Sequence, residues 1–292
     1  MKRIGILTSG GDSPGMNATI MAVAKNASVL GAHLVGIQRG YNGLLSLNRQ
    51  ELMEMPLDLI LDIADRPGTF LRTARCEEFK QAKYQEEAAN YLRSQGIEDL
   101  IVIGGDGSFQ GAMRLCELGI RCITIPATID NDLAYTETSL GFDTAVNVCV
   151  DAIRSIRSTS RSHDRPAVVE VMGRHSGEIA LAAAMSTGAE MVLVPEEPWS
   201  IPQAANRLNK LIEDGNTRAT CIVAEGCWEA MEDFDFCSFL NSRGKICFPE
   251  EPISAVRFAS VLKRMCNGAE VRATVLGYTQ RGASPTSRDS TM

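Results

Sequence analysis

Short apolar runs alternate with longer stretches of helical spacing along almost the whole chain. "RIGILT" has the pattern of a buried strand, and from about Met16 the spacing turns helical through "MNATIMAVAKNASVLGA". "HLVGIQ" is a second apolar run, closed by the turn "RGYNGL". "EEFKQAKYQEEAANYLRSQG" predicts a helix with a glycine stop. "DLIVIGG" predicts a buried strand, "DGSFQGAMRLCELG" a short helix and "CITIPAT" another strand. "FDTAVNVCVDAIRSIRSTS" predicts one long helix. Beyond it, "PAVVEVMG", "EMVLVPE", "ATCIVAEG" and "EVRATVLGYTQRG" predict strands, among the helical "GEIALAAAMSTG", "PQAANRLNKLIEDG" and "EPISAVRFASVLKRMCNG". Strand and helix in repeated alternation imply parallel sheets with helices on both faces. With 292 residues the chain is long enough for two such lobes. The expected fold is α/β: two Rossmann-like three-layer αβα lobes with mostly parallel sheets. Ligands in such folds sit beyond the carboxyl ends of the strands, and each glycine-rich segment here falls at such an end.

Composition narrows the classes. Hydrophobic residues at 45% and charged residues at 22% describe an ordinary soluble globular protein. No apolar run approaches the roughly 20 residues of a membrane span. The start "MKRIGIL" is a strand entry with no signal-peptide cleavage pattern behind it. Nine scattered cysteines without a C-x-x-C pair argue against a zinc site or disulfide framework, and for reduced thiols in a cytoplasm. A formal net charge of −7 argues against general nucleic-acid binding, so an anionic substrate needs a local arginine cluster. With only His33, His163 and His175 present, a metal site built on histidine is not expected.

Three loops carry the candidate chemistry. "TSGGDSPGMN", Thr8 to Asn17, joins a strand to a helix but matches neither G-x-G-x-x-G nor G-x-x-x-x-G-K-[ST]. Glycine lets backbone amides approach an anion, and a helix N-terminus offers unpaired N–H groups. A tight turn without a ligand accounts for one such loop equally well. Asp12 is expected to be the N-cap of the following helix. "VIGGDGSFQGA", Val102 to Ala112, repeats the arrangement, and two such loops on one sheet point to a phosphate compound. An aspartate beside amide donors repels phosphate unless a cation lies between, which makes Asp106 the expected Mg²⁺ anchor. In "TIPATIDNDLAYTETSLGFDTA", Asp130 and Asp132 flank Asn131 directly after a strand. A solvated acidic loop is the plain alternative. Beside a nucleotide loop, one carboxylate accepts the proton of an attacking hydroxyl and the other positions it, as phosphoryl transfer requires. Arg75, Arg165, Arg174, Arg272 and Arg281, at strand edges beside glycine, supply forks suited to phosphate oxygens.

"LTSGGDSPGMN", "GGDGS", "TIDND", "VMGR", "AEG" and "ATVLGYTQRG" occur in the order found in the 6-phosphofructokinases, which the chain resembles from Thr8 to Pro285. The resemblance implies transfer of the ATP γ-phosphate to the 1-hydroxyl of fructose 6-phosphate, the committed step of glycolysis. It implies a nucleotide-binding lobe of residues 1–141 plus 280–292. Residues 142–279 would be the fructose 6-phosphate lobe, with an insertion near 227–252. Asp130 would be the base, supported by Thr128 and Asp132, with Arg174 also acting on the transfer. Asp106 would be linked to Mg²⁺. Gly11, Tyr41, Arg75, Cys76, Gly107, Ser108 and Gly111 fall on nucleotide-binding positions. Met172, Gly173, Arg174 and Glu225 would hold the sugar phosphate, Arg281 would grip its 6-phosphate, and Tyr278 stands there in place of a common histidine. Arg165 and Arg272 match arginines that reach in from a neighbouring subunit, so a homo-oligomer with shared sites, usually a tetramer, is implied.

The family divides between ATP and pyrophosphate as donor. Gly107 and Ala127 stand where pyrophosphate users usually carry an aspartate and a lysine, and that favours ATP. A pyrophosphate-dependent enzyme and a catalytically silent paralogue that binds nucleotide or sugar phosphate are the alternatives. Met21, Leu57, Asp214 and Asn216 fall where the bacterial effector site usually has cations, while Lys25, Arg157, Glu190 and Asp62 match it. Control by ADP or phosphoenolpyruvate is therefore expected to be weak or absent. The stretch "CWEAMEDFDFCSFLNSRGKICFPEEP" is longer than in compact bacterial members and reads either as a surface excursion or as an added helical lobe. At "SPTSRDSTM" the chain stops where family members continue with further segments.

Overall fold

The computed structural model describes residues 2–292 apart from Gln50, Glu51, Glu232, Ile246, Pro249, Glu251 and Asn267. The chain forms two compact units, Met1–Ala145 with Arg281–Met292, and Val146–Gln280.

The first unit runs through β1 (Arg3–Ser9), α1 (Met16–Val29), β2 (His33–Ile37), β3 (Met53–Glu54), α2 (Leu57–Leu61), α3 (Ala82–Ser94), β4 (Ile97–Gly104), α4 (Asp106–Glu117) and β5 (Arg121–Pro126). Its sheet has the order β3-β2-β1-β4-β5, parallel except for β3. Side chains alternate across the pleat. Ile6 packs with Met16, Ile20 and Ala24 of α1 on one face, and Leu7 with Leu92 of α3 and Leu115 of α4 on the other. Burying each such aliphatic side chain is worth about 1.5–3 kcal/mol. The register then decides where the chemistry goes. Ser9 lies beside Gly104, and Gly104 beside Pro126, so "SGGD", "GGDGS" and "TIDND" leave the sheet from neighbouring strand ends.

Two local departures from the sequence pattern have clear causes. Helix α3 starts at Ala82, after a 3₁₀ turn at Glu78–Lys80, because Phe79 turns inward to stack on Tyr41 with ring centroids 4.2 Å apart. The edge strand β3, with only two residues, is too short to leave a periodic signature.

The chain continues through α5 (Phe142–His163), β6 (Ala167–Val171), α6 (Glu178–Thr187), β7 (Met191–Leu193), α7 (Ile201–Glu213), β8 (Thr220–Ala224), α8 (Cys227–Ala230), α9 (Phe236–Asn241), α10 (Ala255–Met265), β9 (Arg272–Val275) and α11 (Ser287–Thr291), the last belonging to the first unit. Helix α5 is continuous over 22 residues, so the division falls inside it and not at 141. The second sheet is wholly parallel, in the order β7-β8-β6-β9. A capping box starts α7, with Ser200 Oγ accepting from the Gln203 amide and Gln203 Oε1 accepting from the Ser200 amide. Within 227–252 the described residues form the short helices α8 and α9. Trp228 joins Trp199 and Phe258 in an edge-to-face cluster, and Phe236 and Leu240 are buried. This segment thus adds core to the second unit. Among the described residues no helix is long and apolar enough to cross a membrane.

Candidate active site

At the carboxyl edge of the first sheet the three loops line one cavity of about 760 Å³. Gly11, Tyr41, Arg75, Cys76, Asp106, Gly107, Ser108 and Gly111 all line it, together with Thr128, Asp130 and Arg281. Asp132 is exposed and is not among the lining residues.

The first loop is fixed by its hydroxyl and amide side chains. Buried Ser13 donates from Oγ to the Leu140 carbonyl at 2.5 Å. Asn17 clamps the 66–70 segment, accepting from the Phe70 amide at 2.7 Å and donating to the Arg66 carbonyl at 3.0 Å. Asp12 does not cap α1. The N-cap is Gly15, whose φ of 94° favours glycine, and no side chain caps the helix. The Asp12 carbonyl instead accepts from Arg281 Nη1 at 2.6 Å. A Cβ on Gly11 would lie 3.0 Å from that guanidinium, so the bare backbone at Gly11 makes room for Arg281 in the loop.

The second loop opens α4. Ser108 is buried, and its carbonyl accepts from the Tyr41 hydroxyl at 2.6 Å. Burial pushes the Tyr41 phenol well above its ordinary range, so it stays a neutral donor. A Cβ on Gly111 would meet the Tyr41 ring at 2.7 Å, whereas a Cβ on Gly107 would meet nothing within 4 Å. Gly111 is therefore a packing position, and Gly107 borders open cavity. Asp106 is exposed at the helix start and accepts from Gln110 Nε2 at 2.6 Å. Cys76 lies on the wall, 3.8 Å from Glu78 Oε2, and burial raises its thiol.

Asp130 is aimed by its neighbours. Ile129 is fully buried, and Asn131 takes a positive φ of 52°. Such a conformation is several-fold enriched in asparagine. Asn131 Oδ1 accepts from the Ser139 amide at 2.8 Å and its hydroxyl at 3.1 Å, and Ser139 Oγ is 2.6 Å from the Thr128 carbonyl it also contacts. The Asp130 amide donates to Thr128 Oγ1 at 3.2 Å. The base of α5 is braced in turn by Asp289 of α11. Its buried carboxylate accepts from the amides of Gly141 at 2.9 Å and Thr144 at 2.8 Å, and from the Thr144 hydroxyl.

The second unit divides its candidates. At its carboxyl edge the Glu225 amide donates to the Val171 carbonyl at 2.9 Å and the Gly226 amide to the Gly173 carbonyl at 3.0 Å, which joins Met172–Arg174 to Glu225. Gly173 has φ 127°, and a Cβ there would lie 2.2 Å from the Ser176 carbonyl oxygen, so only glycine fits. Buried Gln280 accepts from the Met172 amide at 3.1 Å and donates to the Gly277 carbonyl at 2.9 Å, tying the turn that carries exposed Tyr278 to the same edge. Arg165 and Arg272 lie elsewhere. Arg272 pairs in register with Ala167 at the amino end of β6, on the opposite edge of the sheet. There Glu270 binds Arg165 at 2.8 Å, Lys263 at 3.2 Å and Arg272 at 3.4 Å. Hydrogen bonding from Lys263 and the charges of Arg165, Lys263 and Arg272 hold its carboxyl below the usual range.

A phosphofructokinase family profile matches residues 3–292. The chain belongs to the phosphofructokinase family. It is 44% identical over 289 residues to ATP-dependent 6-phosphofructokinase 1 of Clostridium perfringens, covering 99% of this chain and 82% of that protein. It is 46% identical, with the same coverage, to the ATP-dependent 6-phosphofructokinase of Clostridium tetani. Phosphofructokinase from Saccharomyces cerevisiae superposes with a TM-score of 0.81 at 30% identity, over 99% of this chain and 40% of the yeast chain.

Several residues that shape the site of this phosphofructokinase family member were not singled out by sequence: Ser13, Asn17, Asn131, Ser139, Gln280 and Asp289. All are polar, and all are buried or partly buried; Ser13, Asn17, Gln280 and Asp289 have backbone partners far along the chain, whereas Asn131 and Ser139 brace one short loop. The local signal available was a polar residue inside a recognisable motif. Asn17 in "GMN", Asn131 in "TIDND" and Gln280 in "TQRG" qualify on that ground. The cavity could hold a divalent cation. Asp106 and Asp130 would be its hard oxygen donors, and among the described residues no cluster of three or more ligand side chains forms a closed metal cage. Mg²⁺ keeps waters and phosphate oxygens and takes few carboxylates.

Proposed function

We propose that this chain is a kinase that transfers the ATP γ-phosphate to the 1-hydroxyl of fructose 6-phosphate, giving fructose 1,6-bisphosphate. The observation that carries the reading is the convergence of two glycine loops and Asp130 on one cavity. The amides around Gly11, Gly107 and Ser108, at the start of α4, face the donor phosphates. Asp130 accepts the proton of the attacking hydroxyl, with Thr128 and Asp132 supporting the nucleophile and the transferring group. Arg174 adds fixed positive charge for the transfer. Asp106 would hold Mg²⁺, directly or through water, and the ion supplies charge neutralisation on the donor phosphates.

ATP fits better than pyrophosphate. The side of Gly107 is open, where an aspartate would fill and repel an α-phosphate, and Ala127 is neutral and buried. The same cavity is lined by Tyr41, Phe79, Cys76 and Met113, an apolar surface suited to a nucleoside and of no use to pyrophosphate. Met172, Gly173, Arg174, Glu225 and Tyr278 are assigned to the sugar phosphate, with Arg281 on its 6-phosphate. Arg165 and Arg272 are assigned to the sugar phosphate of a neighbouring copy. Their place on the amino edge of their own sheet supports a homo-oligomer with shared sites. Nine free cysteines support a reducing, cytoplasmic setting.

A coupled assay on the purified chain with fructose 6-phosphate tests the reading. ATP should support turnover and pyrophosphate should not. Faster turnover with pyrophosphate would overturn the donor, and no turnover with either, in a folded protein that still binds ATP, would favour a silent paralogue.

A further inference from the structure

The inserted segment of the second unit holds a pair of cysteines that the phosphoryl-transfer site does not use. Cys237 lies on α9 and Cys247 follows ten residues later, with their sulfurs 2.9 Å apart. Cys247 is buried at 7% exposure, and its amide is pinned to Asn241 Oδ1 at 3.0 Å. Cys237 is only half-buried and so is the accessible member. Arg257 of α10 aims one guanidinium nitrogen at both sulfurs, 2.8 Å from Cys247 and 3.4 Å from Cys237, and also donates to the Phe248 carbonyl. Arg257 is itself buried at 8% exposure.

Each element has a chemical consequence. A guanidinium in contact with a sulfur favours its thiolate, the nucleophilic form. Cys237 Sγ lies within hydrogen-bond reach of Cys247 Sγ, and the Arg257 guanidinium contacts the same buried sulfur. That hydrogen bond raises the Cys237 thiol above its ordinary value. An accessible thiol with a second sulfur at its back, itself in contact with a guanidinium, is the arrangement of an entry cysteine and a resolving cysteine.

We propose that Cys237 and Cys247 form a thiol–disulfide exchange site that reacts with small-molecule disulfides. Cys237 loses its proton and attacks one sulfur of a disulfide RSSR. A Cys237–SR bond forms, the RS–SR bond breaks, and one RS⁻ leaves and takes up a proton. Cys247 then loses its proton and attacks the Cys237 sulfur, and the second RS⁻ leaves and takes up a proton to become RSH. Two electrons pass from the protein to RSSR, and a Cys237–Cys247 disulfide remains. Arg257 acts in the second step, its guanidinium stabilising the negative charge that develops on Cys247 as it attacks. In a reducing setting excess thiol reverses the sequence, so the link forms only when the small-disulfide pool rises.

The test uses the purified full chain with oxidised glutathione as the probe. Aliquots are quenched by alkylation and mapped by tryptic digestion without reduction. Residues 246–257 form a peptide whose only cysteine is Cys247. The expected result is a disulfide joining this peptide to the one carrying Cys237, with two fewer alkylatable thiols from that pair. In Cys237→Ser the link is absent. In Arg257→Gln, glutathione accumulates on Cys237 because closure slows by roughly tenfold or more. The proposal is overturned if both cysteines remain alkylatable, if they carry only glutathione in the unsubstituted protein, or if the Cys247 peptide links equally well in Cys237→Ser. Closure at an unchanged rate in Arg257→Gln would remove the guanidinium from the mechanism.

Discussion

The two sheets are built alike and use their edges differently. In the first, parallel register puts Ser9, Gly104 and Pro126 side by side, and every loop leaving that edge reaches one cavity. In the second, Met172–Arg174, Glu225 and Tyr278 gather at the carboxyl edge, but Arg165 and Arg272 stand at the amino edge around Glu270. At about 3.3 Å per residue, the five residues of β6 separate those edges by roughly 15 Å. The difference teaches that residues of one motif set need not serve one site in their own unit. "ATVLGYTQRG" begins just beyond Arg272 at one edge and reaches Tyr278 at the other.

The largest effect should come from the cavity of the first unit. Asp130→Asn keeps the shape of the loop, because Asn131, Ser139 and Thr128 hold its backbone. It removes the proposed base, and a positioned base contributes about 10²–10⁴-fold. The expected outcome in steady-state kinetics is a fall in kcat near 10³-fold, with the ATP KM changed only a few-fold. A variant with wild-type kcat would move the base elsewhere.

Next comes the brace under that edge. Asp289→Ala leaves two buried amides and a hydroxyl without their acceptor. Each unsatisfied buried donor costs about 1–3 kcal/mol, so a loss near 3 kcal/mol is expected. Urea unfolding should show it as a lower midpoint, and a loss under about 1 kcal/mol would mean that water or a shifted Thr286 replaces the carboxylate.

How much of this was legible in the sequence follows from the range of the contacts. The strand–helix alternation and the three loops were readable because each is written within about a dozen consecutive residues. Asp106 and Asp130 on the cavity wall were also readable locally, as a carboxylate in a glycine loop and one of a close pair, whereas Tyr41 and Cys76 followed only from the family resemblance. Asp289 was not, since its partners Gly141 and Thr144 lie 148 and 145 positions away. Gln280 and Met172, 108 positions apart, were hidden for the same reason. The capping role expected of Asp12 failed because Gly15 turns the chain with a left-handed conformation, and α1 starts four residues later than the aspartate. Helix α3 starts late because burying Phe79 outweighs the helical spacing before it.

Arg272 sharpens the comparison directly. On the proposed role, Arg272→Ala removes a charge-assisted contact to the sugar phosphate worth about 1.5–3 kcal/mol, so the fructose 6-phosphate KM should rise roughly 10–100-fold with the ATP KM unchanged. The decisive measurement is complementation. Arg272→Ala and Asp130→Asn chains, dissociated together and reassembled, should regain activity if one copy's arginine serves another copy's carboxylate. If both residues serve the same chain, every site in the mixture carries a defect and nothing returns.

The amino edge of the first sheet provides the control for that of the second. Asp99 pairs with Arg121 at 2.7 Å and Lys2 at 3.0 Å, and its carboxyl is held down at about 2 by hydrogen bonding from Arg121. A depressed acid stabilises the fold above its ordinary value near 3.8, and that contribution is lost as the pH falls through about 2. Its partners Lys2 and Arg121 are 60% and 64% exposed, so solvent screens the pairs and the gain is at most about 1 kcal/mol. Asp99→Asn should therefore lower the urea midpoint slightly at pH 7 and match the unsubstituted chain at the acid end. An equal deficit at both pH values would assign the loss to packing.

The smallest effect is expected at the amino edge of the second unit's own effector candidates. Arg157 forks onto Glu190 with bonds of 3.0 and 3.2 Å, and Asn216 and the Thr220 amide bind the same carboxylate. Burial pushes the Glu190 carboxyl upward, but those hydrogen bonds outweigh it and hold it below the usual range, so it stays ionised and neutralises Arg157. The adjoining cavity of about 390 Å³ sets Arg157, Arg161 and Arg218 against Glu190 and Asp214. Little unpaired positive charge is left for a multiply charged anion. ADP and phosphoenolpyruvate should then shift the half-saturating fructose 6-phosphate concentration by less than about twofold, far below the roughly tenfold of a single charge-assisted contact. Asp214→Lys reverses one charge on the cavity wall and should restore a measurable response. A strong response in the unsubstituted chain would show that Arg161 and Arg218 suffice without Arg157.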